Sequence, residues 1–523
     1  MGNILYHGQI KLRRNEMNES YWILSFKHSE LGNLEKNIKT NILIVGGGIV
    51  GVTTAYLLAK NGLKSTIVDA NKIGYGGSGR NTGKITSQHG IIYSKLNQKY
   101  GIEDAKLYYE GNNQALNLIE KITKEHNIDC NLKREDSYIL AQNENYLEEL
   151  KEEYEICKKI GIDCEYHKSL DLPVDVKGAI SFKNQCQFNP KKYIDELLKE
   201  CINLGVKVYE NTPIVDFNKG EVCELRTNKN NKIFADIVVI ASHMPWYDGK
   251  NLYFAKEKGG RSYLIAGKLE KDIIPGMFLG VEEQGITFRT YNEGNRKLLI
   301  FGGGDHKVGQ CKNEEEMYEK LKNYAKDKFK IKEFKYQWSA QDYMSYDYLP
   351  YIGYINKKQD NVYVATGFSK WGMSNGTLSA IIISDLIAKK ESIYENLFNP
   401  SRKSSYLTTD FYKENLNMTI EYIKGKFNIG KEELYIGKGE GQIVTIDGKR
   451  YGAYRHLNDE LYIVDITCTH LGCELRFNSA EKTWDCPCHA SRYDYKGNVL
   501  EGPTVKPLKR YGEGKNHIHI NLN

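Results

Sequence analysis

The 523-residue sequence has no apolar run long enough to cross a bilayer; its longest, residues 42–45 and 380–383, are the length of buried strand or helix, so no membrane insertion is expected. The N-terminal residues hold no apolar core of signal length, and Gly2 is not followed by the Ser or Thr of a myristoylation site, which points to a cytoplasmic protein. Basic blocks are missing too. A net charge of +6 without a Lys/Arg tail makes nucleic acid an unexpected partner. Proline is scarce, at 10 residues, while 40% hydrophobic and 27% charged residues are ordinary for a globular chain, which excludes a disordered class. The length implies two to four folding units. Of 11 cysteines, Cys130, Cys157, Cys164, Cys186, Cys201, Cys223 and Cys311 are scattered, whereas Cys468, Cys473, Cys486 and Cys488 are crowded together. That distribution is not a disulfide framework in a cytoplasmic chain.

Residues 41–45 form a short apolar run ending in glycines, 50–61 have helical spacing, and 65–69 form a second apolar run, a strand–helix–strand order. Helices are expected over 103–125 and 146–160, with the charge-rich stretch 148–155 as a solvated face. Between 179 and 300 short strands alternate around a helix at 191–204, and 235–240 reads as a buried parallel strand, which implies a second sheet. A strand at 361–365 runs through a glycine turn into a helix ending near Leu386. Periodicity weakens over 400–437, the expected linker, apart from a helix at 410–424; beyond 438, short strands with turns at 447–448 and 496–497 suggest a small all-β domain.

Gly46, Gly48 and Gly51 form G-x-G-x-x-G between the first strand and helix, and Asp69 closes the next strand. Gly46 permits the turn, Gly48 lets the backbone approach a pyrophosphate, Gly51 lets helix and sheet pack closely, and Asp69 would accept hydrogen bonds from a ribose. The alternative is a tight turn without ligand. Residues 73–84, IGYGGSGRNTGK, resemble the G-x-S-G-R-N-x-G segment of the D-amino-acid oxidase superfamily, the flavin amine oxidoreductases that include glycine oxidase, sarcosine oxidase and glutamylputrescine oxidase. Further matches follow in order at 188–190 with Tyr193, 241–245, 301–304, 338–342 leading to Pro350, and 365–373. The resemblance spans about residues 20–395. It implies FAD contacts at Gly46, Gly48, Gly51, Asp69, Ser78, Arg80, Asn81, Thr82, Val215, Ala241, Gly367, Gly372 and Met373, with Arg80 and Asn81 alternatively capping the loop. It also implies noncovalent FAD, because Asn81 stands where covalently linked relatives carry histidine. Arg261 and Arg289 could fork onto a substrate carboxylate or make structural ion pairs. Lys370 and Trp371 fall where the family places residues beside the flavin, with packing the alternative for the tryptophan. His89 and Tyr93 follow the flavin loop and are either site residues or core.

The most specific pattern is Cys468-x-His470-x-x-Cys473 with Cys486-x-Cys488-His489. A Rieske 2Fe-2S centre needs two thiolates on one iron and two imidazoles on the other, which Cys468, Cys486, His470 and His489 would supply. Tetrahedral zinc is the competitor. The full pattern resembles the Rieske proteins of cytochrome bc complexes. That resemblance implies a disulfide between the surplus Cys473 and Cys488, potential-raising hydrogen bonds from Ser491 and Tyr493, and a cluster-covering loop at Gly502-Pro503.

Together these resemblances imply an α/β Rossmann-type FAD-binding domain interleaved with an α+β substrate domain on a mixed sheet, followed by a small all-β Rieske domain. The expected boundaries are an extension at 1–39, an oxidoreductase at 40–399 (FAD parts about 40–100, 190–250 and 336–399; substrate parts about 101–189 and 251–335), the linker, and the Rieske domain at 438–523. The expected function is oxidation of a small-molecule amine or amino acid by hydride transfer to FAD, with electrons relayed through the cluster to an external acceptor. No general base is apparent. The rivals are an electron-transfer reductase module fed by a reduced carrier, for which no second dinucleotide fingerprint is visible; a Rieske oxygenase, for which the histidines outside the motif form no suitable iron pair; and a redox sensor.

Overall fold

The computed structural model describes residues 18–282, 285–427 and 436–511. Residues 1–17 of the expected extension, 428–435 of the linker and 512–523 of the last domain lie outside the described residues.

Two sheets organise the first 400 residues. In the first, Ile38–Val45 is flanked in parallel by Ser65–Val68 and Lys232–Ile240, with Lys207–Tyr209 beyond one neighbour and Gln359–Thr366 beyond the other. The register sets Val45 opposite both Val68 and Ile240, so these strands end at one edge and release Gly46, Asp69 and Ala241 side by side. An open parallel sheet binds ligands at that carboxyl edge. Residues 42–45 and 65–68 are buried throughout, as strands covered on both faces must be. Helices Ile49–Lys60 and Gly372–Lys389 cross closely on one face: a Cβ on Gly376 would lie 2.8 Å from Ile49 Cγ2.

The second sheet has nine strands, antiparallel except where Met277–Gly280 runs parallel to Lys133–Ala141. It holds Lys84–Ile85 and Phe334–Ser345, which the sequence groups with the FAD-binding parts. The latter pairs along Glu257–Lys268 from Ser345 opposite Glu257 to Phe334 opposite Gly267, so its backbone belongs to the second sheet while its far end reaches the cofactor cavity.

Helix Leu147–Ile160 departs from the expected solvated face at one charged residue. Glu153 is buried because its carboxylate accepts the N–H groups of Ile92, Tyr93 and Ser94 at 2.9, 2.8 and 2.7 Å. Those amides open helix Tyr93–Tyr100, which has no side-chain cap of its own.

The C-terminal module is a three-stranded sheet beside a four-stranded one. Asp447 and Gly448 turn the first hairpin with φ of 50° and 74°, as its tight turn requires. Within the expected linker, helix Thr409–Phe427 lies against both modules: Lys307 Nζ donates to Glu414 and Asn417 at 2.7 and 2.6 Å, and Glu421 pairs with Arg476 at 2.6 Å. No helix among the described residues is long and apolar enough to cross a membrane.

Candidate functional site

At the carboxyl edge of the first sheet the fingerprint glycines sit where side chains cannot. A Cβ on Gly46, whose φ is +113°, would lie 2.3 Å from Ala241 O, and one on Gly51 1.9 Å from Gly46 O. Gly51 therefore seats helix against strand and does not itself face the cavity. Gly48 begins helix Ile49–Lys60 without a side-chain cap, and Ser78 Oγ accepts from Ile49 N at 3.0 Å. Asp69 accepts from Gly47 N and Asn71 N, each at 2.7 Å, through different oxygens, which leaves lone pairs for a ribose.

Beside these residues lies a cavity of about 500 Å³. Gly46, Gly48, Asp69, Ser78, Val215 and Ala241 border it, as do Asn81, Thr82, Lys370, Trp371, Gly372 and Met373. The glycine cradle, the helix N-terminus that opens at Gly48 and the size of the cavity beside them fit a dinucleotide.

Several expected contacts fall elsewhere. Arg80 braces the loop, paired with Glu19 at 2.9 Å and donating to Tyr75 O at 3.2 Å. Asn81 borders the cavity but also ties the loop, donating to Gly77 O and Ser78 O and accepting from Gly83 N. Gly367, with φ of +78°, lies against the Glu257 carboxyl instead of lining the cavity. Neither substrate-contact arginine faces the cavity. Arg289, 1% exposed, forks onto backbone and amide, reaching Thr82 O, Phe188 O and Gln187 Oε1, with Trp22 beneath its guanidinium. Arg261 is buried between the modules, 3.4 Å from Glu481 and 3.8 Å from Glu501. These are the structural roles that sequence alone left open. Lys370 borders the cavity paired with Asp305 at 2.7 Å, and Trp371 stacks on His89 at 4.7 Å. His89 and Tyr93 are core residues: His89 Nδ1 accepts from Tyr108 OH at 2.6 Å, its Nε2 donates to Thr86 O at 2.7 Å, and Tyr93 OH donates to Ser87 O.

In the C-terminal module Cys468 and Cys486 are buried together, and a disulfide joins Cys473 to Cys488. His470 and His489 lie 5.1 Å apart between ring centroids, each with a buried Nδ1 that has no hydrogen-bond partner. Burial pushes their pKa values down to about 4 and about 3, so both imidazoles are neutral. The shared hydrogen bond with Cys486, helped by Tyr493 and Ser491, holds the Cys468 thiol below its ordinary value. Tyr493 OH stands 3.5 Å from Cys468 Sγ. Two neutral imidazoles with orphaned nitrogens beside two thiols, the surplus pair already bonded to each other, are the donor set a Rieske cluster needs.

Residues 41–386 match the family profile described as FAD dependent oxidoreductase, and residues 429–512 match the Rieske [2Fe-2S] domain. The chain belongs to the FAD-dependent oxidoreductase family. Among curated relatives of this oxidoreductase, the Rieske 2Fe-2S iron-sulfur protein YhfW of Bacillus subtilis is 39% identical over 499 residues, covering 95% of this chain and 98% of that protein. The gamma-glutamylputrescine oxidoreductase of Escherichia coli is 23% identical over 73% of this chain and 92% of its own length. Among solved structures, glycine oxidase from Geobacillus kaustophilus superposes with a TM-score of 0.59 at 20% identity, covering 70% of this chain and 99% of that one, which shows the shared fold. The oxidoreductase thus carries two cofactors, FAD in the first module and a 2Fe-2S cluster in the second.

Sequence reading missed Lys84. It borders the oxidoreductase's cavity, and its Nζ donates to Phe278 O and Thr287 Oγ1, both at 2.6 Å, with no carboxylate partner among the described residues. Burial first, then the nearby Arg289 charge, pushes its pKa well below the ordinary lysine value. Only its position next to the flavin loop could have drawn attention to it.

Proposed function

We propose that the oxidoreductase removes two electrons from the carbon beside the nitrogen of an amine or amino acid and delivers them through its Rieske cluster to an external acceptor. The observation that carries this reading is the seating of the cluster loops on the flavoprotein. Phe254 lies edge-on to both imidazoles, with centroids 5.0 and 4.9 Å from those of His470 and His489. Gln341 Nε2 donates to Ala490 O, next to His489, at 2.9 Å and to Tyr343 OH at 2.8 Å, and Tyr343 borders the FAD cavity. FAD supplies a hydride acceptor, and the cluster supplies a one-electron acceptor.

The chain's own residues do the remaining work. Lys84, whose pKa burial and the nearby Arg289 charge hold well below the ordinary lysine value, borders the cavity and spends two N–H groups on Phe278 O and Thr287 Oγ1. It takes a proton from the substrate ammonium, leaving the neutral amine whose lone pair assists hydride departure. Trp371 and Met373 border the cavity with apolar surface that excludes water. The imine product is hydrolysed by water. Relatives named for gamma-glutamylputrescine and glycine support an amine or amino acid as the substrate class.

The test is anaerobic addition of amino acids, N-methylated amino acids and polyamine derivatives, with flavin absorbance and cluster paramagnetic resonance followed together. Bleaching of the flavin followed by appearance of the reduced-cluster signal is expected. Bleaching that never reduces the cluster overturns the relay, and failure of every amine overturns the substrate class.

A further inference from the structure

The FAD cavity has a second wall that does not come from the flavoprotein. Leu500, Glu501, Gly502, Thr504, Val505 and Pro507 of the Rieske module border the same space as Gly48, Asp69 and Val215. The flavoprotein holds this loop in place. Tyr343 OH donates to Gly502 O at 2.9 Å, and Glu501, paired within its own module with Arg492 at 3.0 Å, faces Arg261 at 3.8 Å. Burial opposes ionisation of Glu501, but Arg492, Arg261 and His243 outweigh it and hold the carboxyl below the usual range.

The other side of the loop belongs to the cluster. Thr504 N donates to Ser491 Oγ at 3.3 Å, and Thr504 Oγ1 lies 2.6 Å from Thr469 Oγ1. Thr469 Oγ1 is in turn 2.9 Å from Tyr493 OH, the hydroxyl beside Cys468 Sγ. One short segment therefore touches the volume FAD fills and the hydrogen bonds around a cluster thiolate.

We infer that the loop 498–507 is part of the FAD site, so that the nucleotide is clamped between the two modules and its binding is coupled to the hydrogen-bond shell of the cluster. Coupling of this kind is reciprocal: if FAD steadies the loop, the state of the cluster shell changes FAD affinity by the same factor. The inference requires only that FAD occupies this cavity, and it stands whether or not the substrate is an amine.

The experiment uses the full-length, cluster-loaded protein stripped of FAD and titrated with FAD itself. Val505→Trp, which fills the wall's side of the cavity, is expected to weaken FAD binding by on the order of tenfold or more, read as quenching of FAD fluorescence, because an overfilled site must displace its ligand. Its Rieske resonance spectrum should persist. Leu457→Trp, at an exposed turn of the same module away from the cavity, should bind FAD as the unaltered protein does. Independently of any variant, FAD should slow amide hydrogen exchange across 498–507 and shift the Rieske resonance spectrum. Wild-type FAD affinity in Val505→Trp, or exchange in 498–507 indifferent to FAD, overturns the inference. Should Val505→Trp lose its cluster, the exchange measurement on the unaltered protein decides.

Discussion

Burial lowers the pKa of both Lys84 and His89, and the consequences differ because one borders the cavity and the other does not. For Lys84 the consequence is kinetic. Lys84→Met is expected to slow flavin bleaching by an active amine on the order of 10²-fold near neutral pH. The deficit should shrink as pH rises, because the amine then arrives already deprotonated; stopped-flow absorbance across pH 6–10 reads it, and a pH-independent deficit would sink the proton-accepting role. For His89 the consequence is stability. Burial takes its pKa from 6.5 down to about 3, so between those values the unfolded chain binds a proton that the native one refuses. Stability must therefore fall as pH drops through that window, by roughly 1.4 kcal/mol per pH unit. His89→Gln should flatten this acid-side loss in thermal melts. The sequence shows Lys84 ending the flavin loop and His89 following it, yet what distinguishes them is Tyr108 and Thr86 around one and a cavity beside the other. Those neighbours are tertiary. The same holds for Arg261 and Arg289, whose planar forks suit a carboxylate equally well on paper, and whose partners come from segments distant in the chain.

Elements whose form is fixed locally were legible. Strand Ile38–Val45, its glycine turn and helix Ile49–Lys60 announce themselves because an apolar run leads into spaced glycines, and Gly51 meets its steric demand within the turn itself, at Gly46 O. Gly51→Ala would place a methyl 1.9 Å from Gly46 O, a backbone atom that cannot swing aside. About 2 kcal/mol of destabilisation and a purified protein depleted of FAD are expected, read by thermal melting and the flavin-to-protein absorbance ratio. Sheet membership was less legible. Phe334–Ser345 alternates as a strand of either sheet would, and only pairing with Glu257–Lys268 assigns it. Glu153 is the clearest local misreading, since an acid among other acids on a helix looks solvated, whereas its three acceptor contacts belong to the start of another helix. Glu153→Gln keeps one acceptor oxygen and gives up the charge at that helix N-terminus; a loss of about 1 kcal/mol in melting experiments is expected.

At the scale of the molecule, the cluster motif could be read from cysteine and histidine spacing, while its docking could not, because no local pattern encodes which face of one module meets another. That docking decides whether two cofactors on one chain form a relay. In the proposed relay, electrons leaving the flavin as a pair would pass the cluster singly, so the contact would have to persist through two transfers, and a loosely tethered module would have to find its seat twice per turnover. Helix Thr409–Phe427 and the ion pairs of Arg261 and Lys307 hold the module in one seat. Within that seat Gln341 is one direct bridge, hydrogen-bonded at once to Ala490 O beside a cluster histidine and to Tyr343 on the cavity wall. Gln341→Leu keeps the volume and removes both bonds. Flavin bleaching by an active amine should proceed at the wild-type rate, while cluster reduction, followed by freeze-quench paramagnetic resonance, slows by roughly an order of magnitude, the scale of one buried hydrogen bond. If both steps slow together, Gln341 supports the fold of the cavity instead of the link; if neither slows, electrons cross elsewhere, with the Phe254 contact to both imidazoles the next place to cut.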